Sequence, residues 1–241
     1  PFTGAVTIAD GRAVVVSAGR ETERIEAIDF TLNWRGASSP AAFGGHGMWR
    51  GQQINVSALL GRPGDVMQGR SAPFTFDLKS QMGELKLDGD LSIAPRFQLN
   101  GTLAATTSDT PAFMKWTGSD ASFAAGIERS RATGNTRILA NSISLSGLAL
   151  GVNDNLLTGT LTVLREGGKP AISGTLASKT LTFDPRGTIW TQFLFDHDDA
   201  WSRELLPLGI LSDLDFDLRL SMNSLRLGQI VASDAALTAM S

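Results

Sequence analysis

The sequence contains no cysteine and no tyrosine, and only two of its 241 residues are histidine. The absence of cysteine excludes disulfide frameworks, thiolate metal sites, iron–sulfur clusters and cysteine nucleophiles. Two histidines are too few for a multi-histidine metal centre. The formal net charge of −3 gives no electrostatic reason to expect binding to nucleic acid or to an anionic membrane surface. No apolar run approaches the roughly 18 residues that indicate a membrane-spanning helix.

The composition is that of a folded chain. Hydrophobic residues make up 42% of it and charged residues 19%, which is enough apolar surface to bury a core. The sequence begins at Pro1 without an initiator methionine or a signal segment, and its last residues form an apolar-rich segment without a closing turn. We therefore expect it to be part of a longer protein, with any membrane anchor outside the given residues.

Apolar and polar residues alternate over many short segments, as they do in a β-strand with one buried face. The clearest case is 213–222, in which every even position is apolar and every odd position polar. Turn sequences lie between the segments, among them Asp10-Gly11, Arg50-Gly51, Gly134-Asn135 and Gly167-Gly168. We predict a mainly β fold of roughly 13–15 strands, in which a long curved antiparallel meander sheet forms an apolar groove, with one or two short helices.

A five-residue pattern recurs within these segments, with glycine at its centre and an apolar residue at each end. It occurs at 2–6, 87–91, 99–103, 157–161 and 172–176. Two copies contain Asp-Gly or Asn-Gly, which favour hairpin turns, but Thr158 and Ser173 precede the glycine in others and do not favour positive φ. We therefore predict continuous strands, in which glycine opens a gap in the apolar face or lets the sheet bend.

Two segments depart from the alternation. Residues 110–118 predict a short helix, because Thr110 suits the N-cap, Pro111 takes the first helical position and Gly118 ends it. Residues 184–211 are the longest irregular stretch. We treat 1–241 as a single β-rich module with these parts: a first strand run 1–106, the short helix 110–118, a second strand run 121–183, the irregular connection 184–211 and the last strands 212–241.

The sequence has no nucleophile elbow, no phosphate-binding loop and no dinucleotide fingerprint. Its most reactive segment is Asp-His-Asp-Asp at 196–199, which is compatible with a cation site or a hydrolase using His197 with Asp196 or Asp198. Since consecutive residues seldom converge on one ion, we interpret the segment as a solvated loop in which Asp199 caps a following helix. We expect no enzyme activity, no catalytic residue, no cofactor and no metal.

The apolar strand faces carry the remaining functional information. In a closed sandwich or barrel they form an ordinary core, whereas in an open curved sheet they line a groove that suits acyl chains. A third arrangement is an outer-membrane barrel, against which the missing tyrosine and the short apolar bands argue. Under the groove interpretation, the residues that we expect to contact lipid are Leu85, Leu87, Leu99, Leu157, Leu161, Leu214, Phe216 and Leu218.

Several segments, in their order and spacing, resemble the AsmA-like proteins. In the repeated sheet of that family, a Gly-Thr-Leu strand is followed by a Pro-x-Leu-x-Gly-Thr-Leu strand and a Leu-x-Leu-x-Pro strand. Here Gly159-Thr160-Leu161 is followed by 170–176 and then by Leu181 to Asp184. The resemblance covers most of the chain, including the family's first strands, its short helix and its later part, at 28–34, 47–52, 111–116 and 201–230.

The resemblance implies a periplasmic protein of Gram-negative bacteria that is anchored in the inner membrane by a segment outside this chain. The family is related to the bridge-like lipid transfer proteins, whose long β-sheet curls into an apolar groove. It is associated with phospholipid transport and outer-membrane biogenesis, and it has no catalytic residues to carry over. The expected partners are phospholipid or another acyl lipid and envelope proteins. The alternative is a structural or partner-binding envelope domain with a closed core.

Overall fold

The computed structural model describes residues 4–17, 20–119, 124, 126–166, 169–183, 215–228 and 230–240. Of these residues, 75% lie in strands, so the predicted mainly β fold is confirmed. In the described part of the chain, thirteen strands form one open sheet, and each strand lies beside the strands that precede and follow it in the chain. The chain therefore builds the sheet in sequence order, as the meander prediction required.

The element bounds are as follows. The strands are β1 Gly4–Ser17, β2 Arg20–Trp34, β3 Ala41–Trp49, β4 Gln52–Leu60, β5 Ala72–Ser80, β6 Gly83–Ser92, β7 Gln98–Thr107, β8 Ser130–Leu139, β9 Ser142–Val152, β10 Asn155–Glu166, β11 Lys169–Phe183, β12 Asp215–Leu227 and β13 Ile230–Met240. The helices are α1 Pro63–Met67 and α2 Thr110–Thr117. The residues fall into two compact units, Pro1–Ala105 with Arg137–Ala140 and Thr106–Thr136 with Asn141–Ser241.

One strand pair differs from the predicted antiparallel meander. β11 and β12 are parallel, from Ala171 beside Asp215 to Phe183 beside Leu227. This pair is an exception within the predicted meander, because a period of two determines which face a side chain takes and not the direction in which the next strand runs. Parallel neighbours require a long connection, and 184–214, which joins these two strands, lies outside the described residues.

The prediction that the glycine pattern lies within continuous strands is confirmed for the copies at 87–91, 99–103, 157–161 and 172–176, whereas the copy at 2–6 begins outside the described residues. Gly89 of β6 and Gly101 of β7 face each other so closely that a side chain does not fit. A Cβ atom built on Gly89 would lie 2.6 Å from the Cα atom of Gly101 and 2.1 Å from the carbonyl oxygen of Asn100. Glycine is thus required at this point because the two backbones approach each other there.

The turn predictions had mixed outcomes. Arg50-Gly51 does form the turn between β3 and β4, and both residues have positive φ, of 48° and 76°. Asp10-Gly11 instead lies inside β1, where the pairing with β2 shifts between Ile8 and Gly11 and Asp10 has a φ of 52°. The Asp-Gly signal therefore marks a bulge at this position, since one class of bulge, like a tight turn, contains a residue with positive φ.

Gly134-Asn135 was wrongly predicted as a turn, because it lies within β8. A Cβ atom on Gly134 would lie 3.1 Å from the Cα atom of Leu148, so glycine is needed there for close strand packing. Gly167-Gly168 lies outside the described residues.

The helix predicted at 110–118 is confirmed as α2, although its N-cap is Asp109 and not Thr110. The Asp109 side chain accepts a hydrogen bond from the backbone N–H of Ala112 at 2.9 Å, and Gly118 ends the helix with a φ of 81°. The sequence did not indicate α1, because its five residues begin with Pro-Gly, which favours a turn.

Candidate functional site

In the first unit, strand register brings the apolar residues of β1–β6 onto one face, named here the apolar face of the first unit. Paired residues on neighbouring strands share a face of the sheet, so the register can be followed from strand to strand. Three rows, each of six residues, are apolar throughout. They are Ile8, Phe30, Gly45, Val56, Leu78 and Leu85; Val6, Leu32, Phe43, Ala58, Phe76 and Leu87; and Gly4, Trp34, Ala41, Leu60, Phe74 and Gly89.

The opposite face of the same strands is mostly polar. One of its rows contains Thr7, Thr31, Gly44, Ser57, Asp77 and Lys86. Another row contains Asp29, His46, Asn55, Lys79 and Glu84. On this face the His46 Nε2 atom lies 3.4 Å from a carboxylate oxygen of Asp29. The sheet of the first unit is therefore strongly two-sided, with one face suited to water and the other to apolar contact.

The apolar face is only partly covered. On the central strands β4 to β6, the residues of the three rows are half-buried, among them Val56, Phe76, Leu78 and Leu87. In a closed sandwich, a second sheet about 10 Å away would bury such residues. All the strands in the described part of the chain belong to one sheet, and within β4 to β6 the three rows are only half-buried. The burial pattern favours an open face over a closed core.

Two tryptophans lie at opposite ends of this face. Trp34 is in the last apolar row, and its indole N–H donates to the backbone oxygen of Gly36 at 2.7 Å. Trp49 is paired with Ile25 at the other end, and its N–H donates to a carboxylate oxygen of Glu23 at 2.8 Å. Both are half-buried. A tryptophan with its ring on apolar surface and its N–H on a polar group is typical of an apolar–polar boundary.

Charged residues bound the face at its Trp49 end. They form a group named here the rim cluster, made up of Glu21, Glu23, Arg24, Glu26 and Arg50. Arg50 forms an ion pair with Glu23, with its Nε atom 3.1 Å from the carboxylate. Arg24 bonds to Glu21 at 2.5 Å and to Glu26 at 3.4 Å. The five side chains contribute to an open cleft of about 520 Å³.

The rim cluster predicts a loss of stability in acid. Hydrogen bonds, first from Arg50 and then from Trp49, lower the pKa of Glu23 below its ordinary value of 4.5. A carboxyl group with a lowered pKa stabilises the fold above its ordinary pKa, and this stabilisation is lost as the pH falls through the lowered value. In urea titrations, wild type should be more stable than Glu23→Gln at pH 7, and the difference should shrink below about pH 4.5. A difference that stays constant down to pH 2 would contradict this.

The second unit also has an apolar face. Register across β9–β13 produces rows that are apolar throughout: Ile143, Val163, Ile172 and Phe216; Leu145, Leu161, Gly174, Leu218 and Ala239; and Leu148, Gly159, Leu176, Leu220 and Leu237. Next to these rows, Leu157, Leu181 and Met222 form a buried cluster. The face of the second unit therefore combines exposed apolar area with a small packed core.

The residues predicted to contact lipid are distributed as follows. The half-buried ones on the two apolar faces are Leu85, Leu87, Leu161, Phe216 and Leu218. Leu99 and Leu157 are 3% and 8% exposed, so other side chains already cover them and they are poorly placed to meet a ligand. Leu214 lies outside the described residues. Lipid contact by the half-buried residues stays a prediction.

The Asp-His-Asp-Asp segment at 196–199 and the helix expected after it also lie outside the described residues. Within the described residues, no three carboxylate or imidazole side chains are grouped so that they would hold a metal ion. No helix in this part of the chain has the length and apolar character needed to cross a membrane.

Comparison with protein-family models, with curated proteins and with solved structures gives no match. The AsmA-like resemblance therefore stays a prediction from sequence.

Proposed function

We propose that this chain holds the acyl chains of phospholipids, or of other acyl lipids, along the apolar faces of its sheet, as a non-catalytic module of lipid transport. The observation that carries this proposal is the set of three apolar rows in the first unit, which are half-buried on the central strands. An exposed apolar patch of this size normally marks a binding site. A face made of side chains without reactive groups is suited to binding and not to chemistry.

The dimensions of the first face fit a lipid tail. Six strands at a spacing of ~4.8 Å make it about 24 Å wide. Along β3, the eight residue steps from Ala41 to Trp49 span about 27 Å at ~3.4 Å per residue. One leaflet contributes about 15 Å to the ~30 Å hydrocarbon thickness of a bilayer. An acyl chain can therefore lie along the strands between the two tryptophans without leaving apolar surface.

The resemblance to AsmA-like proteins supplies the cellular setting of the proposal. It is the periplasm of a Gram-negative bacterium, with the full-length protein anchored in the inner membrane and acting in outer-membrane biogenesis. The second candidate, a structural or partner-binding envelope domain with a closed core, is favoured by the buried cluster of Leu157, Leu181 and Met222. The two candidates differ in whether the half-buried rows meet lipid or protein.

Mass spectrometry of lipid extracted from the purified, folded chain tests the proposal. We expect phospholipid to co-purify, because apolar area of this extent is unfavourable in water. Chain stripped of lipid in detergent and then mixed with phospholipid vesicles should take lipid up again. A folded sample that neither carries lipid nor takes it up would overturn the proposal and favour the closed-core candidate.

A further inference from the structure

We infer that one end of the first unit docks on the surface of an anionic lipid bilayer. This end consists of the connections 35–40, 61–71 and 93–97, and it is named here the α1 end because the second connection contains that helix. The inference goes beyond the holding of acyl chains, since it concerns a membrane surface and a different part of the molecule.

The three connections lie next to one another. The backbone N–H of Gly64 donates to the backbone oxygen of Ala37 at 2.8 Å, which joins the first connection to the second. A Cβ atom on Gly69 would lie 3.6 Å from the Cβ atom of Ala94, which places the second against the third. All three follow strand ends beside the row that contains Trp34, so the α1 end borders the apolar face.

Large apolar side chains are exposed at this end. Met67 is 66% exposed, Ile93 51% and Phe97 40%. Met67 is the last residue of α1, and Ile93 and Phe97 are the first and last residues of the connection 93–97, which packs against the connection that contains α1. Exposed apolar and aromatic side chains on neighbouring loops are what a peripheral membrane protein inserts into the headgroup region.

The charge of the α1 end is opposite to that of the whole chain. The three connections contain Arg35, Arg62, Arg70 and Arg96 but a single acidic residue, Asp65, whereas the complete sequence has a net charge of −3. Asp65 bonds to Arg62 at 3.2 Å and to Arg70 at 2.5 Å. Arginines beside exposed apolar groups match an anionic bilayer surface, in which each arginine strengthens binding roughly fivefold.

The opposite end of the same strands differs in its charge balance, because the rim cluster contains three glutamates and only two arginines. There the turn residue Arg50 is paired with Glu23, and Arg24 with Glu21 and Glu26. Val16, near this end, is 61% exposed and so offers an apolar side chain of comparable exposure to Met67. The contrast identifies the α1 end as the membrane-facing one and supplies a control position in the same unit.

The experiment is co-sedimentation of the full chain with vesicles of phosphatidylcholine, with and without about one third phosphatidylglycerol. We expect binding to the phosphatidylglycerol vesicles, weakened by at least about tenfold in Met67→Asp and by about fivefold in Arg96→Gln. Val16→Asp should bind as wild type does, and circular dichroism should show all three variants folded. Raising the salt concentration should weaken the binding of wild type.

The outcomes separate this inference from the proposed function. Equal binding to both kinds of vesicle, or no binding to either, would overturn it even if lipid co-purifies with the chain. An equal loss in Val16→Asp and Met67→Asp would overturn it as well.

Discussion

Leu87→Asp is expected to abolish lipid binding by the first unit while leaving the chain folded. Leu87 lies in the middle of the three apolar rows, beside Phe76, and it is half-buried. A carboxylate at this position would face a lipid tail, and a charge in hydrocarbon costs about 2.5–3.5 kcal/mol, or roughly a 100-fold loss of affinity. Without lipid, the same carboxylate reaches water, so the fold should tolerate it. Lipid uptake by mass spectrometry and thermal unfolding by circular dichroism measure the two effects.

Lys86→Asp is the matched control for this variant, because it places the same carboxylate one residue away on the polar face. It should bind lipid as wild type does. In the second unit, Leu161→Asp and Thr160→Asp form an equivalent pair. If Leu87→Asp unfolds the chain, the row belongs to a closed core, since a charge in a packed interior is strongly destabilising. If it binds lipid normally, the apolar face is not the binding site.

Gly89→Ala is expected to have the largest effect on stability. The added methyl group would lie 2.1 Å from the carbonyl oxygen of Asn100 and 2.6 Å from the Cα atom of Gly101, and both are backbone atoms that move only if the strands separate. We expect a loss of about 3 kcal/mol or more, equivalent to a fall of roughly 6–12 °C in Tm. Urea or thermal denaturation measures it.

Gly44→Ala is the control for this prediction, since a Cβ atom on Gly44 of β3 would have no atom within 4 Å. Alanine in an open strand position should be neutral or stabilise the chain by about 0.5–1 kcal/mol, because glycine loses more backbone entropy on folding. Equal losses in the two variants would show that the effect does not come from the contact between β6 and β7.

The periodicity of the sequence was sufficient to predict the strands but not how they pair. Alternation places Leu85 and Leu87 on one face whatever the neighbouring strands do, so their placement followed from sequence alone. The direction of each strand relative to its neighbour, and the places where the pairing is irregular, did not follow from the sequence. Gly134 resembles a turn residue because close packing against Leu148 and a tight turn both exclude a side chain. The parallel step from β11 to β12 depends on a long connection that leaves no mark on the period of either strand.

The sequence was sufficient to predict which face each candidate residue takes but not how deeply each one is buried. Leu157 and Leu161 occupy equivalent places in one glycine pattern, yet Leu157 is buried and Leu161 is not, because Leu181 and Met222 cover only the first. The tryptophans at the ends of the first face are distant in sequence and meet that face only through strand register. Likewise, a net charge computed for the whole chain conceals the arginines of the α1 end.

The agreement between strand order and chain order has a consequence for how such a sheet folds and evolves. Every strand in the described part of the chain contacts neighbours that are also its neighbours in sequence, so structure can propagate strand by strand, as it does along a repeat protein. Adding or deleting a hairpin at an edge would leave the remaining pairs intact. Gene duplication can then change the number of strands, and with it the length of the apolar surface, in small steps. A new strand added at an edge does not have to be inserted between strands that are already paired.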